Sequence, residues 1–250
     1  MLGVQAQTTN AGVLLEVGRV PLTIYAQKAA VKNWERIRNS GANHLLTMSY
    51  KSAQKESLDW LNKISFCLQQ NGMGTFFIEE IGQFTPSCSI HNKLCARLKD
   101  IFHQKSFSSI NGTDSKLRTY SLIKEGIGME SYLKTIRNIN DRVSLSRFRL
   151  SNHKLMIEVG RYQKWPQSQC FCPSCPNIVE DEIHFLINCD PYSILRKPLF
   201  EHCLNLKPTF LYYTDCEKFV FIMTNTYLSS ELAKFMSKAM EIRKNKLNTQ

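Results

Sequence analysis

The chain has 250 residues and carries 32 Lys and Arg against 21 Asp and Glu, a net charge of +11 with 43% apolar residues. That length allows one large or two smaller domains with a real core. No apolar run approaches the roughly 20 residues of a membrane helix. Met1 to Asn10 has neither a basic start nor an apolar block. The expectation is therefore an intracellular protein, nuclear or cytoplasmic, neither secreted nor in a membrane. In that setting an odd count of nine cysteines reads as reduced thiols plus metal.

In chain order, Pro21 fits a first helical turn, and Leu22, Tyr25, Ala29 and Ile37 recur near helical spacing until Asn39-Ser40-Gly41. A second helix is expected over about 53–70, with Leu58, Leu61, Ile64 and Leu68 on one stripe and Asn71-Gly72 ending it. Phe76, Phe77, Ile78 and Ile81 form an apolar patch of undefined type. Residues 88–105 read as a helix with Ile90, Leu94, Leu98, Ile101 and Phe102 on a face, and 106–115 as a linker. These stripes read as core.

The segment Lys116–Lys164 holds eleven Lys or Arg against four acids, Glu125, Glu130, Asp141 and Glu158. Short helices are expected over 115–125 and 131–138, then 141–150 and 151–162. Arg137, Arg142, Arg147, Arg149, Lys154 and Arg161 are the candidates for contact with nucleic-acid phosphates. A merely solvated face is the plainer reading. His153 reads as a phosphate contact or a helix-surface residue. Phe148, Tyr162, Trp165 and Phe171 are candidate base-stacking rings or core members.

Cys172-Pro-Ser-Cys175, His184 and Cys189 follow. Two thiols two residues apart, then a His and a Cys, have the chemistry and number of a closed, tetrahedral structural zinc site. Inert core cysteines are the alternative. Cys170 offers a ligand shift with less usual spacing. Residues 180–189 read as a short helix, and Glu180 or Asp181 as acceptor for the second ring N–H of His184. Beyond it, 191–204 reads as a helix perturbed by Pro198, Thr214-x-x-Glu217 as a capping box, and Ser230 as the cap of a last helix striped by Leu232, Phe235, Met236, Ala239 and Met240.

The expected fold is mainly α, an irregular helical bundle with a small zinc-knuckle-like Cys-Cys-His-Cys loop-helix element. It divides into an N-terminal helical region (1–110), a basic helical segment (111–165), the knuckle-like element (166–205) and C-terminal helices (206–250).

Several blocks carry a family likeness: Gly18-Arg19-Val20-Pro21-Leu22, Arg147 to Leu155, Ile157 to Tyr162, and the run from Cys172 through Glu180-Asp181-Glu182, His184-Phe185-Leu186 and Cys189. In order, they resemble the C-terminal portion of LINE-type non-LTR retrotransposon polyproteins, after the reverse transcriptase domain. The likeness spans about 12–200 and is most specific over 142–196. It implies that Cys172, Cys175, His184 and Cys189 hold one structural Zn²⁺ in an element that helps hold template RNA or target DNA during target-primed reverse transcription. A polymerase of that kind needs paired aspartates for two-metal chemistry, and this sequence has no Asp-Asp pair. Nor does it show a nucleophile elbow or a glycine-rich phosphate loop. The expectation is a non-catalytic module with RNA or DNA as partner and no small-molecule substrate. The alternatives are a zinc-braced protein-interaction module with a protein partner, a piece of an RNA-directed DNA polymerase active only when joined to its polymerase domain, or a relic.

Overall fold

The computed structural model describes residues 2–40, 43–78, 89–112 and 115–248. Ile81 and Gly41, named above, lie outside them. The fold is mainly α, and among the described residues β pairing is confined to two isolated antiparallel bridges, Val17 with Met129 and Phe171 with Val179. The longer helices are α1 (Asn10–Glu16), α2 (Leu22–Arg38), α3 (His44–Lys55), α4 (Asp59–Gln70), α5 (Ile90–Ile110), α6 (Ile139–Arg149), α7 (Met156–Gln163), α8 (Ser193–Leu206), α9 (Asp215–Thr224) and α10 (Ser229–Asn248). Contacts divide the chain into two compact units, Val20–Ser106 and the remainder, Met1–Arg19 with Phe107–Gln250.

In the Val20–Ser106 unit, Val31, Trp34, Tyr50, Leu61, Ile64, Leu68, Ile90 and Leu94 are buried together. Trp34 Nε1 donates to Tyr50 Oη at 3.1 Å, which leaves no polar atom of this pair stranded in the core. The α2 stripe differs from expectation. Leu22 and Tyr25 are exposed, and the buried face carries Ile24, Val31 and Trp34 instead. The expected helix over 53–70 is two helices. α3 ends in a turn in which Leu58 N–H donates to Ala53 O (3.1 Å) and Ser57 takes φ 50°. This is the closure usually given to glycine. The apolar residues 76–78 sit in and beside a four-residue helical turn, Thr75–Ile78. α5 continues to Ile110, through half of the expected linker.

The second unit is built around one apolar core. Leu15, Leu117, Tyr120, Phe148, Phe185, Phe210, Phe219 and Phe235 are each at most 3% exposed within it. The segments outlined as 111–165, 166–205 and 206–250 all contribute to this core, and α6 packs along α10. The short helices expected over 115–125 and 131–138 shrink to single turns, Tyr120–Ile123 and Tyr132–Thr135. α6 and α7 are separated by the same closure as α3 and α4, with Ser151 at φ 47° and Asn152 N–H on Arg147 O (2.7 Å). α8 runs straight through Pro198. The Thr214–Glu217 capping box is present, while Ser230 lies inside α10 rather than before it.

A buried polar network ties α1 into this core. Glu16 is fully buried and accepts from Tyr120 Oη (2.7 Å), Tyr132 Oη (2.7 Å) and Arg149 Nε (2.6 Å). Arg149 also meets Glu130 at 2.9 Å and donates to Met223 O at 3.0 Å. Burial alone would pull the guanidinium pKa down, but Glu16 and Glu130 hold it above its ordinary value.

Candidate metal centre

The centre is assembled from two short local structures. α7 stops when Lys164 takes φ 59° and Trp165 N–H closes on Gly160 O (2.8 Å). The chain then turns back through Pro166 into a miniature hairpin. Glu180 N–H donates to Cys170 O (2.8 Å) and Cys172 N–H to Ile178 O (2.7 Å), so Cys172 and Cys175 sit at its tip. Past Glu182 the backbone widens into a π-turn, His184–Asn188. There Cys189 N–H donates to His184 O, five residues back, at 2.8 Å. In an α-helix side chains five apart point about 140° from each other. The wider turn brings His184 and Cys189 to the same side.

Cys172, Cys175, His184 and Cys189 are all buried, and their ligand atoms lie within 4.8 Å of one another. Cys189 Sγ is 3.8 Å from both Cys172 Sγ and Cys175 Sγ. A disulfide has its sulfurs about 2.05 Å apart, so no bond joins them. Two thiolates on a four-coordinate ion with metal–sulfur bonds of about 2.3 Å stand about 3.8 Å apart. His184 Nε2 is buried without a hydrogen-bond partner. A buried ring nitrogen without a partner is costly unless something fills its site. Burial pushes the Cys172 thiol up, and burial followed by the neighbouring Cys172 and Cys175 pushes Cys189 up further; burial pushes His184 down. A neutral imidazole is the form that ligates metal, and a cation among three thiols favours their deprotonation. The four side chains therefore fit one metal ion.

The surroundings anchor this cluster. Arg196 is buried and donates to three carbonyls of the metal loop, Leu186 (2.6 Å), Cys189 (2.7 Å) and Phe185 (3.4 Å), with no carboxylate partner among the described residues. Its charge would offset the single net negative charge that three thiolates and a neutral His would leave on a divalent ion. Glu180 is bound at both carboxylate oxygens by Arg243 of α10 (2.7 and 2.6 Å) and also accepts from Met156 N–H (2.7 Å). Asp181 Oδ1 accepts the backbone N–H of His184 at 2.7 Å. Neither acid accepts from the imidazole as expected, because both are already used to cap backbone or to hold α10. Cys170 is no ligand. Its sulfur lies where a Cβ on Gly160 would come within 2.3 Å, and it contacts Pro166 O at 3.6 Å.

His153 is neither on the surface nor free for phosphate. Its side chain is 2% exposed and Nε2 meets Glu182 Oε1 at 3.0 Å. Both oxygens of Glu182 also accept from Arg118 Nη2 (2.8 and 3.0 Å), and Oε1 accepts from Ser151 Oγ (3.2 Å). Burial alone would raise the Glu182 carboxyl. The hydrogen bond and charge of His153, the Arg118 charge and a backbone N–H outweigh it and hold it at about 2.

The six cations picked from the sequence have different fates. Arg137 and Lys154 are exposed. Arg147 is exposed, with Nε on Gly3 O at 2.7 Å. Arg142 is half-buried and donates to Ile136 O (3.1 Å). Arg161 pairs with Glu158 (3.1 Å) and lies over the Tyr162 ring (4.5 Å). Arg149 corrects the expectation: at 3% exposure, with its charge spent on Glu16 and Glu130, it is out of reach of any polyanion. Of the rings, Phe148 is core, while Tyr162, Trp165 and Phe171 are exposed. Sequence reasoning missed Arg196 and Arg243. Arg243 was visible only as one of the basic residues crowding the end of α10, and nothing local singles out Arg196. Among the described residues no helix is long and apolar enough to cross a membrane. Compared with protein-family models, with curated proteins and with solved structures, the chain matches none.

Proposed function

We propose that this protein is a non-catalytic nucleic-acid-binding module, braced by one structural Zn²⁺ on Cys172, Cys175, His184 and Cys189, that binds RNA or DNA through a basic face. Zinc is the choice among metals because three thiolates and one imidazole in a closed, buried tetrahedron suit it, with no position left open for chemistry. The LINE-type origin rests on the sequence blocks quoted above.

One observation carries the nucleic-acid reading. Glu158 and Glu130 are taken by Arg118, Arg161, Lys124 and Arg149. Seven other cations of the 116–164 segment, Lys116, Lys134, Arg137, Arg142, Arg147, Lys154 and Lys164, have no carboxylate partner among the described residues. A segment that pairs Arg118, Lys124, Arg149 and Arg161 with carboxylates yet leaves these seven cations uncompensated is suited to an external polyanion. If about five phosphates are neutralised, log K falls with log salt at a slope of roughly −3.5 to −4.5. Fluorescence anisotropy with labelled single-stranded and duplex oligonucleotides between 50 and 200 mM salt measures it. A slope near zero sinks the reading.

A zinc-braced protein-docking module is the second reading, favoured by the exposed Trp165, Phe171 and Ile178 around the hairpin. It predicts a stable protein complex and oligonucleotide binding without salt dependence.

A further inference from the structure

A cleft of about 490 Å³ opens between α6, the Asn152–Lys154 turn and the end of α10. Among the described residues no carboxylate lines it. Three exposed cations converge on its rim from separate parts of the chain, Arg147, Lys154 and Lys244. None of the three has an ion-pair partner among the described residues, and only Arg147 Nε is engaged, on Gly3 O. The floor is apolar, made by Met240 and Leu247 with only the 1% of Phe148 that is left exposed, and amide and hydroxyl groups of Gln5, Asn152 and Ser144 stand beside it. Two further basic side chains, His153 and Arg243, form the back wall, but both are engaged, His153 Nε2 with Glu182 Oε1 and Arg243 with Glu180. The wall is therefore held by carboxylates of the metal loop, while the cations of the rim have no acid against them.

The geometry points to this cleft as the seat of one nucleotide of a single-stranded nucleic acid, its base on the apolar floor and its phosphates on Arg147, Lys154 and Lys244. This deepens the nucleic-acid reading above and rests on it. The volume falls in the range of small-ligand sites, and an apolar floor with a few polar groups beside it is their usual make-up. A duplex cannot present an unpaired base to such a floor, whereas a single strand offers both π-face and backbone charge. The back wall also links the cleft to the metal loop, since Glu180 and Glu182 flank His184 within two and four residues.

The test uses the full chain and labelled oligouridylate and oligodeoxythymidylate of ten nucleotides. The triple variant Arg147→Gln, Lys154→Gln, Lys244→Gln is set against a control triple outside the cleft, Lys116→Gln, Lys134→Gln, Lys164→Gln, matched in charge. The cleft triple is expected to lose about tenfold or more in affinity, and its salt slope to flatten by roughly 0.7 for each phosphate contact removed. The control triple is expected to lose clearly less. Equal losses in the two triples overturn the cleft while leaving the basic-face reading standing. Absence of salt-dependent binding by the unaltered chain overturns both. Uridine monophosphate is expected to displace the oligonucleotide at lower concentration than inorganic phosphate; equal potency overturns the base on the floor. A measurement that needs no variant is photo-crosslinking of 4-thiouridine-containing oligonucleotide to the unaltered chain. Crosslinks within 144–154 and 240–247 support the cleft, and crosslinks only elsewhere overturn it.

Discussion

The metal loop and the basic segment are both rich in ligating or charged side chains, and they differ in how far each side chain must look for its partner. Cys172, Cys175, His184 and Cys189 lie within 18 residues, and two local devices, a hairpin tip and a π-turn, bring them together. Arg149 and Arg147 lie two residues apart in α6, yet one is buried against Glu16, 133 positions away, and the other faces solvent. A ligand set built from neighbours declares itself by spacing. The fate of a cation is decided by a carboxylate that sequence distance hides.

The largest expected effect breaks the local side of this contrast. Removing the metal with a chelator, or changing His184→Ala, is expected to cost several kcal/mol, because the binding free energy of a closed site is folding free energy. Native mass measurement should show one metal ion lost, and thermal unfolding a lowered midpoint. Protein prepared in zinc-containing medium and free of metal would end the assignment.

Next comes the distant side. Arg149→Ala leaves Glu16 buried without its charge partner and should cost about 3–5 kcal/mol in denaturant unfolding. Arg147→Ala, at an exposed site, should stay within about 0.5 kcal/mol. Adding Glu16→Gln to Arg149→Met should recover much of the loss. Comparable costs for the two single arginine variants would erase the distinction between them.

A smaller effect probes the joint between the hairpin and α7. Gly160→Ala places a methyl 2.3 Å from the Cys170 sulfur. Overpacking of that kind typically costs about 1–3 kcal/mol. Cys170→Ala in the same chain should relieve it, with metal stoichiometry unchanged since that thiol is no ligand. Loss of metal in the Cys170→Ala variant would contradict the ligand set. Smallest is Thr214→Ala, which removes the capping-box oxygen of α9 and should cost about 1 kcal/mol.

The apolar stripes of α4, α5 and α10, the capping box and the four ligands were legible because each is a short-range pattern. The helix stops were not. Three helices end with a left-handed residue that is not glycine, Ser57, Ser151 and Lys164, so 53–70 read as a single helix with no sign of α3, and 151–162 as one run beginning five residues too early. The α2 face was misjudged because Leu22 and Tyr25 have the spacing of a core stripe but point outward, while Trp34 takes the buried place. Arg196 and Glu182 were hidden for the same reason as Arg149: their meaning lies in carbonyls and cations contributed by other elements.

The π-turn carries one more consequence. A coil one residue wider than usual is what brings His184 and Cys189, five positions apart, to one side. Deleting a single residue such as Ile187 would set imidazole and thiol four apart, the interval an ordinary helix already aligns. The centre should therefore survive that shortening better than a lengthening by one, an asymmetry no rigid template of ligand spacing would foresee.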